Sequence, residues 1–163
     1  MSYVGIDPST KTGFVRMDED GEVWEQCEIV RKGEDPDRMI SLIDAISEML
    51  QGDDIVCIED FAYAQANQMA LLGGIGWGIR MMMRRRGIKF HIVGTGQLKN
   101  FTGSKGNAGK EQLILPIYQL WKFKDDSDNV RDAFVLAQIC RALYKPPKLY
   151  KYQEDVLTKL RGK

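Results

Sequence analysis

The sequence is short of the residues that build several common kinds of site. In 163 residues it has one histidine and three cysteines. His91 lies in the apolar run IKFHIV with no second histidine to help it, which favours a packing role over catalysis. Cys27, Cys57 and Cys140 are scattered, odd in number and form no CxxC pair. That excludes a thiolate metal site and a disulfide framework, and fits a reducing cytoplasm. No apolar run approaches the roughly 18 to 20 residues that span a bilayer, and no charged-then-apolar leader opens the chain, so a cytoplasmic protein without a membrane partner is expected. Repeats and low-complexity linkers are also missing. A chain of this length folds as one domain, burying roughly 70% of its unfolded surface.

Net charge is also lacking, with 23 Lys and Arg against 23 Asp and Glu. The balance is uneven along the chain. Residues 1–62 carry 5 basic against 16 acidic side chains, and residues 63–163 carry 18 against 7. An acidic half can gather metal-binding carboxylates and a basic half can neutralise phosphates, so a polyanionic partner is compatible with the neutral total.

What is present reads as strands first and helices later. YVGID and TGFVRM are short apolar runs separated by Pro8, Ser9 and Thr10, and EVWEQCEIV alternates after an Asp20-Gly21 turn, which predicts a three-stranded antiparallel meander. Met39, Ile40, Ile43, Ile46, Met49 and Leu50 keep helical spacing. DIVCIED then reads as a central strand. A long helix is predicted over 65–86, with GGIGWG inside it. A phosphate-binding G-x-G-x-x-G would follow a strand and open a helix, so these glycines are expected to serve close helix packing, against the sheet or a second subunit. IKFHIV, a short helix over 96–101, the loop TGSKGNAG and helices over 110–121 and 127–144 complete the domain. Pro146-Pro147 stops the last helix, giving a domain over 1–145 and a Lys-rich tail over 146–163.

Three separated acids stand out. Asp7 ends the first strand, Glu59 ends the fourth, and Asp132 lies on the last helix. If the first and fourth strands are parallel neighbours, Asp7 and Glu59 lie side by side, and a helix across that edge can add Asp132. Such a cluster cannot stay ionised without cations, and hard oxygen ligands suit Mg²⁺ or Mn²⁺. Two such ions about 3.5 to 4 Å apart activate water and stabilise the leaving oxygen in phosphodiester hydrolysis.

The blocks VGIDPSTKTG, VCIEDF, FTGSKGNAGKEQL and DNVRDAFVLA resemble, in order and spacing, the four signature blocks of RuvC-type Holliday junction resolvases of the RNase H-like superfamily. The resemblance implies an α/β, RNase H-like fold: a mixed five-stranded sheet, its first three strands antiparallel, with helices on both faces. It also implies a homodimeric, Mg²⁺-dependent endonuclease that cuts four-way or otherwise branched DNA, forks included. Asp7, Glu59 and Asp132 would be metal ligands, and Lys110 would lie near the scissile phosphate. Compactness is similar to that of phage-borne relatives.

Two positions depart from the pattern. An acid or histidine is expected three residues before Asp132, where this chain has Asn129, and Asp128, about 40° from Asp132 and one turn away, is the substitute expected as fourth carboxylate. An aromatic wedge is expected just after Glu59, where Phe61 and Tyr63 flank Ala62. Lys99, Lys105 and Lys110, with Phe61 and Tyr63, are the expected DNA contacts. Asp125 and Asp126 read as favourable charges at a helix amino end. The Gly73–Gly78 stretch is the expected dimer interface. A junction-binding protein that no longer cuts, or a nuclease of this fold acting on other nucleic acid structures, remains an open alternative.

Overall fold

The computed structural model describes residues 1–61 and 68–162. Its centre is one five-stranded sheet in the order β3-β2-β1-β4-β5. The strands are β1 (Ser2–Asp7), β2 (Lys11–Met17), β3 (Val23–Val30), β4 (Asp54–Glu59) and β5 (Lys89–Val93). The first three are antiparallel neighbours. β4 runs parallel to β1 and β5 runs parallel to β4. The fold is RNase H-like, as the sequence blocks imply.

Helices cover both faces. α1 (Asp37–Met49) and α2 (Met69–Arg85) pack on one, where Val4, Ile6, Phe14, Val56 and Ile58 meet Ile46, Ile75 and Ile79. α5 (Asp128–Tyr144) crosses the other, over Tyr3, Val15, Met17 and Cys57. α3 (Thr95–Phe101), the helix α4 (Ile114–Trp121) that follows a short 3₁₀ turn, and α6 (Lys151–Arg161) close around α5. The core therefore has two layers divided by the sheet.

Close approach of α5 depends on two glycines. A Cβ at Gly5 of β1 would overlap the Ala133 carbonyl oxygen, and a Cβ at Gly13 of β2 would overlap that of Asn129. With no side chain at either place the helix backbone rests directly on the sheet, and the first turns of α5 are pressed toward the ends of β1 and β2.

Three α2 glycines serve close packing as expected, but against α1 and Phe61 rather than against the sheet. Gly74 faces Met39, Gly78 faces Ile43 of α1, and Gly76 faces the Phe61 ring. On the outer side of α2, Met69, Trp77 and Met81 are exposed, with Ile40 of α1 also open to solvent.

The Lys-rich segment expected as a tail differs from that expectation. Residues 151–161 form α6, which buries Val156, Leu157 and Leu160 against the α5 side of the core. The buried Gln153 donates from Nε2 to the Phe101 carbonyl, 3.2 Å away. Its apolar residues recur at helical spacing, and the surrounding lysines mask that pattern in a composition-based reading. No helix among the described residues is long and apolar enough to cross a membrane.

Candidate active site

β1 ends at Asp7 because Pro8 has no N–H to continue the ladder. The turn beyond is tied by Thr12, whose hydroxyl donates to the Ser9 carbonyl at 2.7 Å. β4 ends at Glu59, next to Asp60, whose N–H still pairs with the Val93 carbonyl at 2.8 Å. Since Ile6 is in register with Ile58, Asp7 and Glu59 leave adjacent parallel strands at the same level. α5 starts at its cap Ser127, whose hydroxyl accepts from Val130 N at 3.2 Å, and one turn later it brings Asp132 over that edge.

Carboxylate oxygens of Asp7, Glu59 and Asp132 all lie within 4.8 Å of one another. Asp7 and Glu59 are 8% and 9% exposed, so water screens their charges poorly. Burial, and then the Glu59 carboxylate beside it, hold Asp7 well above the usual carboxylate range. Burial and Glu59 raise Asp132 in the same way, to about 7. Three ionised carboxylates this close need either protons or cations. A donor set of oxygens alone, with no thiol or imidazole, fits a hard divalent cation.

The carboxylates form the floor of an open cleft of about 230 Å³ whose rim carries Lys99 and Lys110. Lys110 forms an ion pair with Asp128. Burial works against the Lys110 charge, yet that pair and the nearby Asp7 and Asp132 hold its pKa above the usual lysine value. Thr95, the first residue of α3, donates its hydroxyl to Glu59 Oε1 at 2.7 Å. That bond orients Glu59 toward the cleft, and nothing in the residue's sequence context signals it.

The other candidates are placed as follows. Asp128 lies outside the carboxylate group, turned toward Lys110, and it is Asn129 that lines the cleft beside Asp132. As first residue of α5, Asp128 projects about 100° away from Asn129 around the helix. Asp125 precedes α5 and accepts from Ser127 N at 2.9 Å, a turn-forming role. Lys105 is exposed on the loop that leads to Lys110. Phe61 lines the cleft mouth, with the Arg80 guanidinium 4.2 Å from its ring centre and Trp77 beside it. Arg80 also donates to the Glu59 carbonyl at 3.3 Å and to Asp60 at 3.0 Å, tying the end of β4 to α2. Tyr63 lies outside the described residues. His91 is away from the cleft, its Nε2 2.7 Å from the Tyr144 hydroxyl.

Comparison with known proteins agrees with this geometry. Among curated proteins none matches the chain. A structure of Thermus thermophilus RuvC is similar in fold, with a TM-score of 0.68 and 20% identity over 84% of this chain and 91% of that one. T. thermophilus RuvC in complex with a Holliday junction substrate is similar with a TM-score of 0.66 and 19% identity, over 84% and 90%. The family model for crossover junction endodeoxyribonuclease RuvC matches residues 3–141, from β1 through most of α5. That span holds every carboxylate of the cleft, and the chain belongs to the RuvC family of crossover junction endodeoxyribonucleases.

Proposed function

We propose that this protein is a divalent-metal-dependent endonuclease that resolves four-way DNA junctions by paired phosphodiester hydrolysis, acting as a homodimer. The observation that carries the reading is the close group of Asp7, Glu59 and Asp132 beneath a lysine rim, in a chain of the RuvC family. Mg²⁺, or Mn²⁺ in its place, held by those three side chains would supply Lewis acidity and a lowered pKa for a bound water. The chain's own residues do the rest. Lys99 and Lys110 receive phosphate oxygens at the rim, Lys105 extends that contact along the loop, and Thr95 keeps Glu59 turned inward. Phe61, seated between Gly76 and Arg80 at the mouth, offers a fixed aromatic surface where a branch point opens. Cuts in two strands need two such clefts. The exposed row Met69, Trp77 and Met81 on α2, with Ile40 beside it, is the surface on which a second copy fits.

Labelled four-way junctions incubated with the protein and Mg²⁺ test this reading. Wild type should give paired nicks, whereas Asp7→Asn and Glu59→Gln should bind the junction equally well and leave it intact. Binding without products by wild type would point instead to a junction-binding protein that no longer cuts. Cutting by either variant at the wild-type rate would remove the assigned site.

A further inference from the structure

Asn129 brings a neutral side-chain amide into the cleft that holds the carboxylates of Asp7, Glu59 and Asp132. It precedes Asp132 by three residues, so the two share a face of α5 with their Cβ atoms about 5 to 6 Å apart. Both line the cleft with Asp7 and Glu59. The Asn129 backbone rests over Gly13. Gly13 pairs with Asp7 on one side and with Glu28 on the other. Asn129 therefore stands above the middle of a three-strand row, with the metal-binding carboxylate toward β1 and Glu28 toward β3.

The side-chain amide of Asn129 donates from Nδ2 to Glu28 Oε1 at 3.3 Å. An ionised carboxylate can only accept, so the atom facing it must be the NH₂ group. This bond decides an amide orientation that is otherwise ambiguous. Its carbonyl Oδ1 lies on the opposite side of the amide from the Glu28 contact, in a residue that lines the cleft. Glu28 is itself held, since the Ser127 hydroxyl donates to the same Oε1 while accepting from Val130 N to cap α5. The neighbouring acid, Asp128, is engaged with Lys110.

We propose that Asn129 Oδ1 is an oxygen ligand of the cation held by Asp7, Glu59 and Asp132, and that Glu28 is the positioning residue that turns it there. This rests on the metal-dependent reading of the cleft. Carbonyl oxygens suit Mg²⁺ and Mn²⁺ as carboxylates do. An amide adds a ligand atom without a fourth negative charge in a group whose members already repel one another. Groups that orient a metal ligand through one hydrogen bond typically contribute 10- to 100-fold to metal affinity.

The test is Mn²⁺ binding to the DNA-free protein, read by loss of the free-ion signal in electron paramagnetic resonance. Wild type should bind and Asp7→Asn should not; failure of this pair overturns the metal reading itself. Given that pair, Glu28→Ala and Asn129→Ala should each weaken binding about tenfold or more, and Asn129→Asp should tighten it. Glu28→Gln, whose amide oxygen still accepts from Asn129 Nδ2, should stay within about threefold of wild type. In the Asn129→Asp background, Glu28→Ala should cost less than about threefold, because a carboxylate offers an oxygen on either side and needs no orienting. Equal losses from Glu28→Ala in both backgrounds, or a loss in Glu28→Gln as large as in Glu28→Ala, would mean that Glu28 acts only as a distant charge, and would overturn the proposal. So would wild-type affinity in Glu28→Ala.

Discussion

Asp132, with a pKa raised to about 7, keeps a proton in the metal-free fold at pH values where an unfolded aspartate has lost its own. The folded form then binds more protons than the unfolded form, so metal-free stability is greatest below the ordinary carboxylate pKa near 4 and falls as pH rises toward 7. A displacement from 3.8 to about 7 corresponds to something on the order of 4 kcal/mol of lost stability above pH 7, taken as an upper bound. In urea unfolding with a chelator present, wild type should therefore be less stable at pH 8 than at pH 5. Asp132→Asn should shrink that difference, leaving the part that belongs to Asp7, while abolishing cleavage. A cation must displace the same proton, so metal affinity should rise with pH up to about 7 and level off above it. A pH-independent affinity between 5 and 7 would contradict this competition between cation and proton at Asp132. The same cluster that makes the site reactive makes it costly to fold empty.

At the scale of elements, the contact of α5 with β1 and β2 decides whether three distant carboxylates become one group. Gly13→Ala places a methyl group against the Asn129 carbonyl and must lift the first turn of α5. Overpacking of this kind costs about 1 to 3 kcal/mol or more. Cleavage should fall further than that loss of stability accounts for, because Asp132 and Asn129 move away from Asp7. Comparing kcat with the urea midpoint of the same variant separates the two effects. α6 makes a second, simpler prediction. Leu157 is 2% exposed on the core, so Leu157→Ala should cost about 2 to 5 kcal/mol, a value typical of buried leucines. A free tail would tolerate the change with no shift in the unfolding midpoint.

For the whole molecule, the uneven charge along the chain becomes an arrangement in space. The acidic half contributes the cleft floor through Asp7 and Glu59, and the basic half contributes Lys99 and Lys110 at its rim. Junction binding should therefore weaken steeply as salt rises, despite a formal net charge of zero. Salt-independent affinity would exclude the lysine rim as a phosphate contact. Assembly is the other property at this scale. Trp77 is 56% exposed and Met81 51% exposed on the outer stripe of α2, so Trp77→Glu should shift sedimentation toward a monomer. That variant should keep the fold, because the residue lies outside the core, and should lose paired cutting before it loses single nicks.

The strand order of the meander, the parallel β1–β4 pairing implied by the four blocks, and the company of Asp7, Glu59 and Asp132 could all be read from the order of the amino acids. These were legible because strand-ending acids and helical periodicity are local patterns, and because four blocks in order constrain one another. Helical spacing places Asp128 and Asn129 almost equally well beside Asp132, so it could not choose between them. That choice fell to tertiary contacts: Lys110, 18 residues upstream, draws Asp128 outward, and Glu28, on a strand 101 residues away, holds Asn129. Thr95 beneath Glu59 and the burial of α6 belong to the same class. Each depends on which distant surface a residue meets, and a local pattern carries no information about that surface until the sheet and α5 have closed over it.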